Sequence, residues 1–180
     1  APELALARWL YGAYLTREGL LDEGLKELQA ARDLEPENAE ITYELGVALA
    51  LEGNHEGAAD EFFRATELAG DDGWTRVVLG LALLEDGRED EALADLAAGA
   101  RSRPSDVEAQ LLASLAAAVQ GHDDLAWEML ERARQVGVDA DQVLAAEVEE
   151  RLSRGPEAAR AFLRTELAPA AYRERLRERP

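Results

Sequence analysis

Cysteine is missing from this 180-residue chain, and with it go disulfides, thiolate nucleophiles and cysteine metal ligands. Its absence suits either redox environment and so does not choose a compartment. No apolar run approaches the roughly 18 residues that suggest a membrane span, and no secretory signal is recognisable. The chain opens on Ala1-Pro2 rather than methionine, so an upstream segment is expected to have been removed or left out. A cytoplasmic location is expected, with export (the signal segment absent from this chain) as the alternative. Lysine is nearly absent too: Lys26 stands alone beside 18 arginines. That bias, with few Asn and one Met, fits a GC-rich or thermophilic bacterial source.

Positive charge is scarce and unevenly placed. The net charge is −19, yet residues 151–180 hold eight arginines against four glutamates, leaving −23 on residues 1–150. A body this acidic repels nucleic-acid phosphates and anionic lipid, which excludes both as expected partners. Apolar residues make up 47% of the chain, too many for disorder.

What is abundant is repetition. Gly12, Gly46 and Gly80 lie thirty-four residues apart, with Ser114 in the next place. Gly19, Gly53, Gly87, Gly121 and Gly155 keep the same interval, as do Gly24, Ala58, Ala92 and Ala126, and Leu28, Phe62, Leu96 and Leu130. A fixed period of this size marks stacked supersecondary units, each burying its apolar faces against its neighbours. Leu45-Gly46, Leu49, Ala58 and Phe62, with Pro36 and Pro104 closing neighbouring units, resemble the tetratricopeptide repeat (TPR). The resemblance implies an all-α, right-handed superhelical solenoid of helix-turn-helix units. About five helix pairs and a C-terminal capping helix are expected.

Helical spacing of apolar residues and turn glycines place helices near Pro2–Glu18, Asp22–Leu34, Asn38–Glu52, His55–Ala69, Gly73–Asp86, Glu89–Arg101, Ser105–Gln120 and Asp123–Val136. Asp22 and Ser105 are read as helix-capping residues. The TPR array is expected over residues 1–168, with units near 5–38, 39–72, 73–106 and 107–138 and a degenerate pair at 139–168. In that last pair Ala158, Phe162 and Leu163 fall about two positions out of phase with Ala126 and Leu130. Residues 169–180 form a basic segment with Arg173, Arg175, Arg177 and Arg179. It is expected to cap the array by packing Tyr172 and Leu176 around Phe162, its arginines facing water or Glu147 and Glu150.

A catalytic constellation is not found, and the protein is not expected to be an enzyme. His55 and His122, the only histidines, follow turn glycines on separate units and are read as turn residues. His55-Glu56 lacks the second histidine of a zinc-protease helix. Carboxylate pairs such as Asp71/Asp72 or Glu149/Glu150 are what chance gives in a chain with 38 acidic residues. No serine has a histidine spaced to activate it, and neither a calcium loop nor a glycine-rich phosphate cradle is present. No cofactor or metal is expected.

The resemblance instead implies a surface, because first helices of successive TPR units line an inner, concave face. The inward row is Leu6, Trp9 and Ala13, then Tyr43, Val47 and Leu51, then Trp74, Val77, Leu81 and Leu84, then Leu111, Leu115 and Val119. The competing reading is that several, Val77 and Leu111 among them, are inter-helix core. TPR domains that grip a terminal carboxylate use Lys, Asn and Arg here; Trp9, Ala13, Tyr43 and Val47 take those places, which argues against that type. The expected function is a non-catalytic scaffold or adaptor. Its hydrophobic groove would bind an apolar or amphipathic protein or peptide segment carrying some basic residues. Two alternatives remain: an assembly module whose groove is filled by its own chain or a second copy, as in a homodimer, and the regulatory region of a longer enzyme.

Overall fold

The computed structural model describes residues 2–70 and 73–178. Among these the chain is helical throughout: α1 (Pro2–Arg17), α2 (Leu21–Leu34), α3 (Ala39–Glu52), α4 (His55–Ala69), α5 (Trp74–Glu85), α6 (Glu89–Ser102), α7 (Val107–Val119), α8 (Asp123–Val136), α9 (Asp139–Ser153), α10 (Pro156–Phe162) and α11 (Ala168–Glu178), the last two joined by a π turn over Leu163–Leu167. Two compact units result, residues 1–71 with 172–180, and residues 72–171.

In the first unit α1 pairs with α2 and α3 with α4, while α2 also packs on α3. The thirty-four-residue period becomes a repeated core contact here, since Leu28 and Phe62 are both fully buried. Asn38 starts α3, its side-chain oxygen accepting the backbone N–H groups of Glu40 and Ile41 at 3.1 and 3.2 Å. Those donors would otherwise lack partners in the first turn. Gly53 ends the same helix at φ 94°, a left-handed geometry that glycine adopts without a Cβ penalty. On α1, Tyr11 is 54% exposed, whereas Leu45, one period later, is 2% exposed because α2 covers that side of α3. Leu4, Leu10 and Tyr14 are exposed as well.

The second unit repeats the pairing with α5–α6 and α7–α8, again around fully buried anchors, Leu96 and Leu130. Ser114 stands where earlier units have glycine, and its hydroxyl donates to the Ala126 carbonyl at 2.7 Å. The pattern breaks after α9. Arg160 and Arg164 occupy the places that Ala126 and Leu130 hold one period earlier, so α10 cannot offer the usual apolar stripe to its partner helix. It packs on α7 as well as on α9, burying Ala159, Phe162 and Leu163.

Three local expectations are corrected. Residue Asp22 does not cap α2; the helix begins at Leu21 after Leu20, which makes no side-chain cap bond. Nor does Ser105 cap α7: Asp106 does, accepting the Ala109 N–H at 3.1 Å. Finally, Tyr172 does not meet Phe162; its ring stacks on Phe62, centroids 6.3 Å apart and nearly parallel. Phe162 lies instead beneath the Arg151 guanidinium, 5.1 Å from the ring centre. The expected roles of the Leu176, Arg175, Arg177 and Arg179 side chains, and of Asp71 and Asp72, lie outside the described residues.

Candidate functional site

Ten of the thirteen side chains expected to line the groove are buried: Ala13, Tyr43, Val47, Trp74, Val77, Leu81, Leu84, Leu111, Leu115 and Val119, while Leu6 is exposed. Trp9 and Leu51 keep part of their surface open. In the first unit Trp9 packs against the Leu28–Leu45–Ala48 cluster. The Tyr43 ring lies 5.5 Å from Phe62, itself beneath Tyr172. Leu51 borders a cavity of about 400 Å3 shared with Thr16, Arg17, Glu18, Gly19, Leu21 and Arg173.

In the second unit Trp74, Val77, Leu81 and Leu84 lie on α5 and Leu111 and Leu115 on α7. Trp74 opens α5 with the Arg103 guanidinium 5.7 Å from its ring centre, a cation–π contact. α7 meets both α5 and α10. The edge of that contact is charged. Arg160 Nη1 donates to Glu89 Oε1 at 2.5 Å, and Arg164 Nε donates to Glu85 Oε2 at 2.7 Å. Gln120, following α7, donates its side-chain amide to the Glu89 carbonyl, tying the end of α7 to the start of α6.

Glu85 is the last residue of α5, where the helix dipole disfavours a carboxylate. The Arg164 guanidinium supplies the compensating charge. One Glu85 oxygen, Oε1, is buried with no donor of its own. These two glutamates and two arginines were not singled out in the sequence. The signal was there in the phase slip after Gly155, which puts arginines where the period calls for buried residues.

Elsewhere two charged groups are shifted by their hydrogen-bond partners. An Arg88 hydrogen bond holds the Glu91 carboxyl below its usual range, and Glu149 holds the Arg134 guanidinium above its own. His55 opens α4 half-buried and His122 immediately precedes α8 exposed. Among the described residues no three His, Cys, Asp or Glu side chains are grouped to hold a metal ion. No helix there is long and apolar enough to cross a membrane.

Comparison with known proteins gives a consistent picture. The family described as "Tetratricopeptide repeat" matches residues 12–72. Among solved structures, YrrB, titled "a TPR protein with an unusual peptide-binding site", is 27% identical, covering 81% of this chain and 74% of its own at a TM-score of 0.71. MamA is 22% identical over 82% of this chain and 83% of its own, with a TM-score of 0.70. A MamA form from Desulfovibrio magneticus RS-1, running from residue 41 to its end, is 20% identical, covering 97% of this chain and 93% of its own at the same TM-score. Both MamA likenesses speak for the fold. No curated protein matches the chain.

Proposed function

We propose that the chain is a tetratricopeptide-repeat protein and a non-catalytic protein-interaction scaffold whose inner row receives an apolar or amphipathic helical segment. One observation carries this reading. α10 already lies against α7, with Ala159 and Leu163 fully buried. The face that a partner would use is therefore suited to a helix, with apolar residues at its floor and carboxylates at its margin. Helix-in-groove recognition needs this combination, area from apolar anchors and register from charge. YrrB, a TPR protein with an unusual peptide-binding site, has a similar fold, which supports a peptide or protein as the ligand class. The acidic body favours segments bearing Arg or Lys.

The test selects binders from a displayed library of random 16-residue segments and maps where they attach. A photo-crosslinking residue in place of Leu51, part of whose surface is open, reads attachment in the first unit. Selected segments are expected to share leucine-like anchors one helical turn apart, flanked by basic residues, and to crosslink to inner-row helices. Failure to enrich any segment, or no crosslink from position 51 to any selected segment, would overturn the reading.

Self-assembly is a second reading, favoured by exposed Leu4, Leu10, Tyr11 and Tyr14 on α1. It predicts a dimer that persists on dilution, measured by sedimentation. A monomer throughout would reject it.

A further inference from the structure

We infer that residues 156–167 are an internal occupant of the partner site in the second unit. The partner then carries the same signature: two basic residues one helical turn apart beside apolar anchors. This rests on the interaction-scaffold reading above.

Three features of the second unit support it. First, the contact has the form of ligand recognition. Arg160 and Arg164 are four apart, hence neighbours on one helix surface, and they meet Glu89 and Glu85, also four apart across the α5–α6 turn. Second, Glu85 is only half used. Arg164 engages Oε2 through Nε, while Oε1 is buried without a donor. A guanidinium approaching as a fork would satisfy both oxygens, a stronger arrangement. A foreign segment can therefore outdo the chain's own residue at that carboxylate.

Third, few residues anchor the occupant. α10 runs on through the π turn into α11, and within 156–167 only Ala159, Phe162, Leu163 and Leu167 are buried. Both arginines are partly exposed, with side-chain accessibilities of 34% at Arg160 and 44% at Arg164, against 36% at Glu89 and 12% at Glu85. An exposed pair such as Arg160–Glu89 contributes little individually. The buried Ala159, Phe162 and Leu163 hold the segment in place, and its tether gives it a high effective concentration. Competition with an external segment then obeys population-shift arithmetic. Apparent affinity falls by the fraction of molecules in which the site is open.

The probe is a fluorescein-labelled synthetic peptide of residues 156–172, titrated by anisotropy into the full chain. Wild type should bind it weakly, and the Arg160→Glu/Arg164→Glu chain at least about tenfold more tightly, because its own occupant is released. Adding Glu85→Gln and Glu89→Gln should abolish that gain, as should a peptide with glutamate at both arginine positions.

Overturning results are equally definite. Equal affinity for wild type and the charge-reversed chain would make α10 a permanent part of the fold. Equal binding of the charge-reversed peptide would show that the carboxylates do not read arginine. Exchange of residues 156–171 between two copies, seen as a dimer that grows with concentration, would also overturn the proposal.

Should the charge-reversed chain fail to fold, hydrogen exchange on wild type decides. Amides of α10 exchanging at least about tenfold faster than those of α7, and faster still with peptide added, support release. Protection equal to α7 rejects it. If library-selected segments bind regardless of Arg160 and Arg164, the scaffold reading stands and this inference alone falls. If nothing binds either chain, both fall.

Discussion

Replacing Gly80 by alanine sets two effects against each other. In an exposed helix the change stabilises by about 1 kcal/mol, because glycine is the poorer helix former. Gly80 lies in the interior of α5, however, where α6 passes close by. A Cβ there would stand 2.6 Å from Leu96 Cγ, 2.9 Å from the Ala92 carbonyl oxygen and 2.9 Å from the Leu96 nitrogen. Two of those three atoms are backbone, so no side-chain rotation relieves them. Leu96 is fully buried and has nowhere to retreat. α5 and α6 must separate by several tenths of an ångström, loosening the whole pair. Overpacking of this kind costs about 1–3 kcal/mol, and three contacts under 3.0 Å place Gly80 at the upper end. Subtracting the propensity gain leaves a net loss of about 2 kcal/mol. Equilibrium urea denaturation should show an earlier midpoint with an unchanged slope. Equal or greater stability would refute the argument that close helix approach, rather than chance, maintains glycine at this interval.

Other predictions follow the same logic. Asn38→Ala removes the cap of α3 and should cost about 1 kcal/mol in urea denaturation. Ser114→Ala loses the 2.7 Å bond to Ala126 and should cost about 1 kcal/mol, while Ser114→Thr should cost more through crowding. Arg88→Ala should let the Glu91 carboxyl rise toward its ordinary value in a carboxyl NMR titration, since the Arg88 hydrogen bond is the first cause of its depression. The sign follows from that depression. Glu91 favours the folded state above its unfolded pKa, and this contribution fades as pH falls through the lower folded value. The Arg88→Ala chain should therefore lose the fading on the acid side.

The repeat was readable because it is a packing rule written in residues. Leu28, Phe62, Leu96 and Leu130 recur because each fills the same space between paired helices, and all four are fully buried. Caps were less legible. Ser105 and Asp106 are both capable capping residues one position apart, and only the backbone turn selects Asp106. The inner row was legible as a list of residues but not as a surface. Period counting places Leu111 and Leu115 on one side of α7 without revealing that α10 lies against that helix. Such contact depends on where α10 packs after the turn at Gly155, which the period does not set. Tyr172 shows the limit most plainly, because its stacking partner Phe62 is 110 positions away in the chain. The arginines at positions 160 and 164 were the one clue, as residues that break the period without breaking the helix.

The π turn between α10 and α11 has a consequence for the arithmetic of the chain. In an α-helix positions four apart creep around the axis by about 40°, so Leu163, Leu167 and Ala171 would fan across about 80°. Yet all three are buried. The turn over Leu163–Leu167 takes an additional residue to complete, winding more slowly and taking back that creep, like a vernier correcting a ruler. What packing fixes here is therefore the number of residues rather than their identity. Exposed Thr165 can be exchanged for other polar residues at little cost. Deleting it would swing everything beyond by about 100°, turning Ala171 out of the interior without altering a single buried side chain.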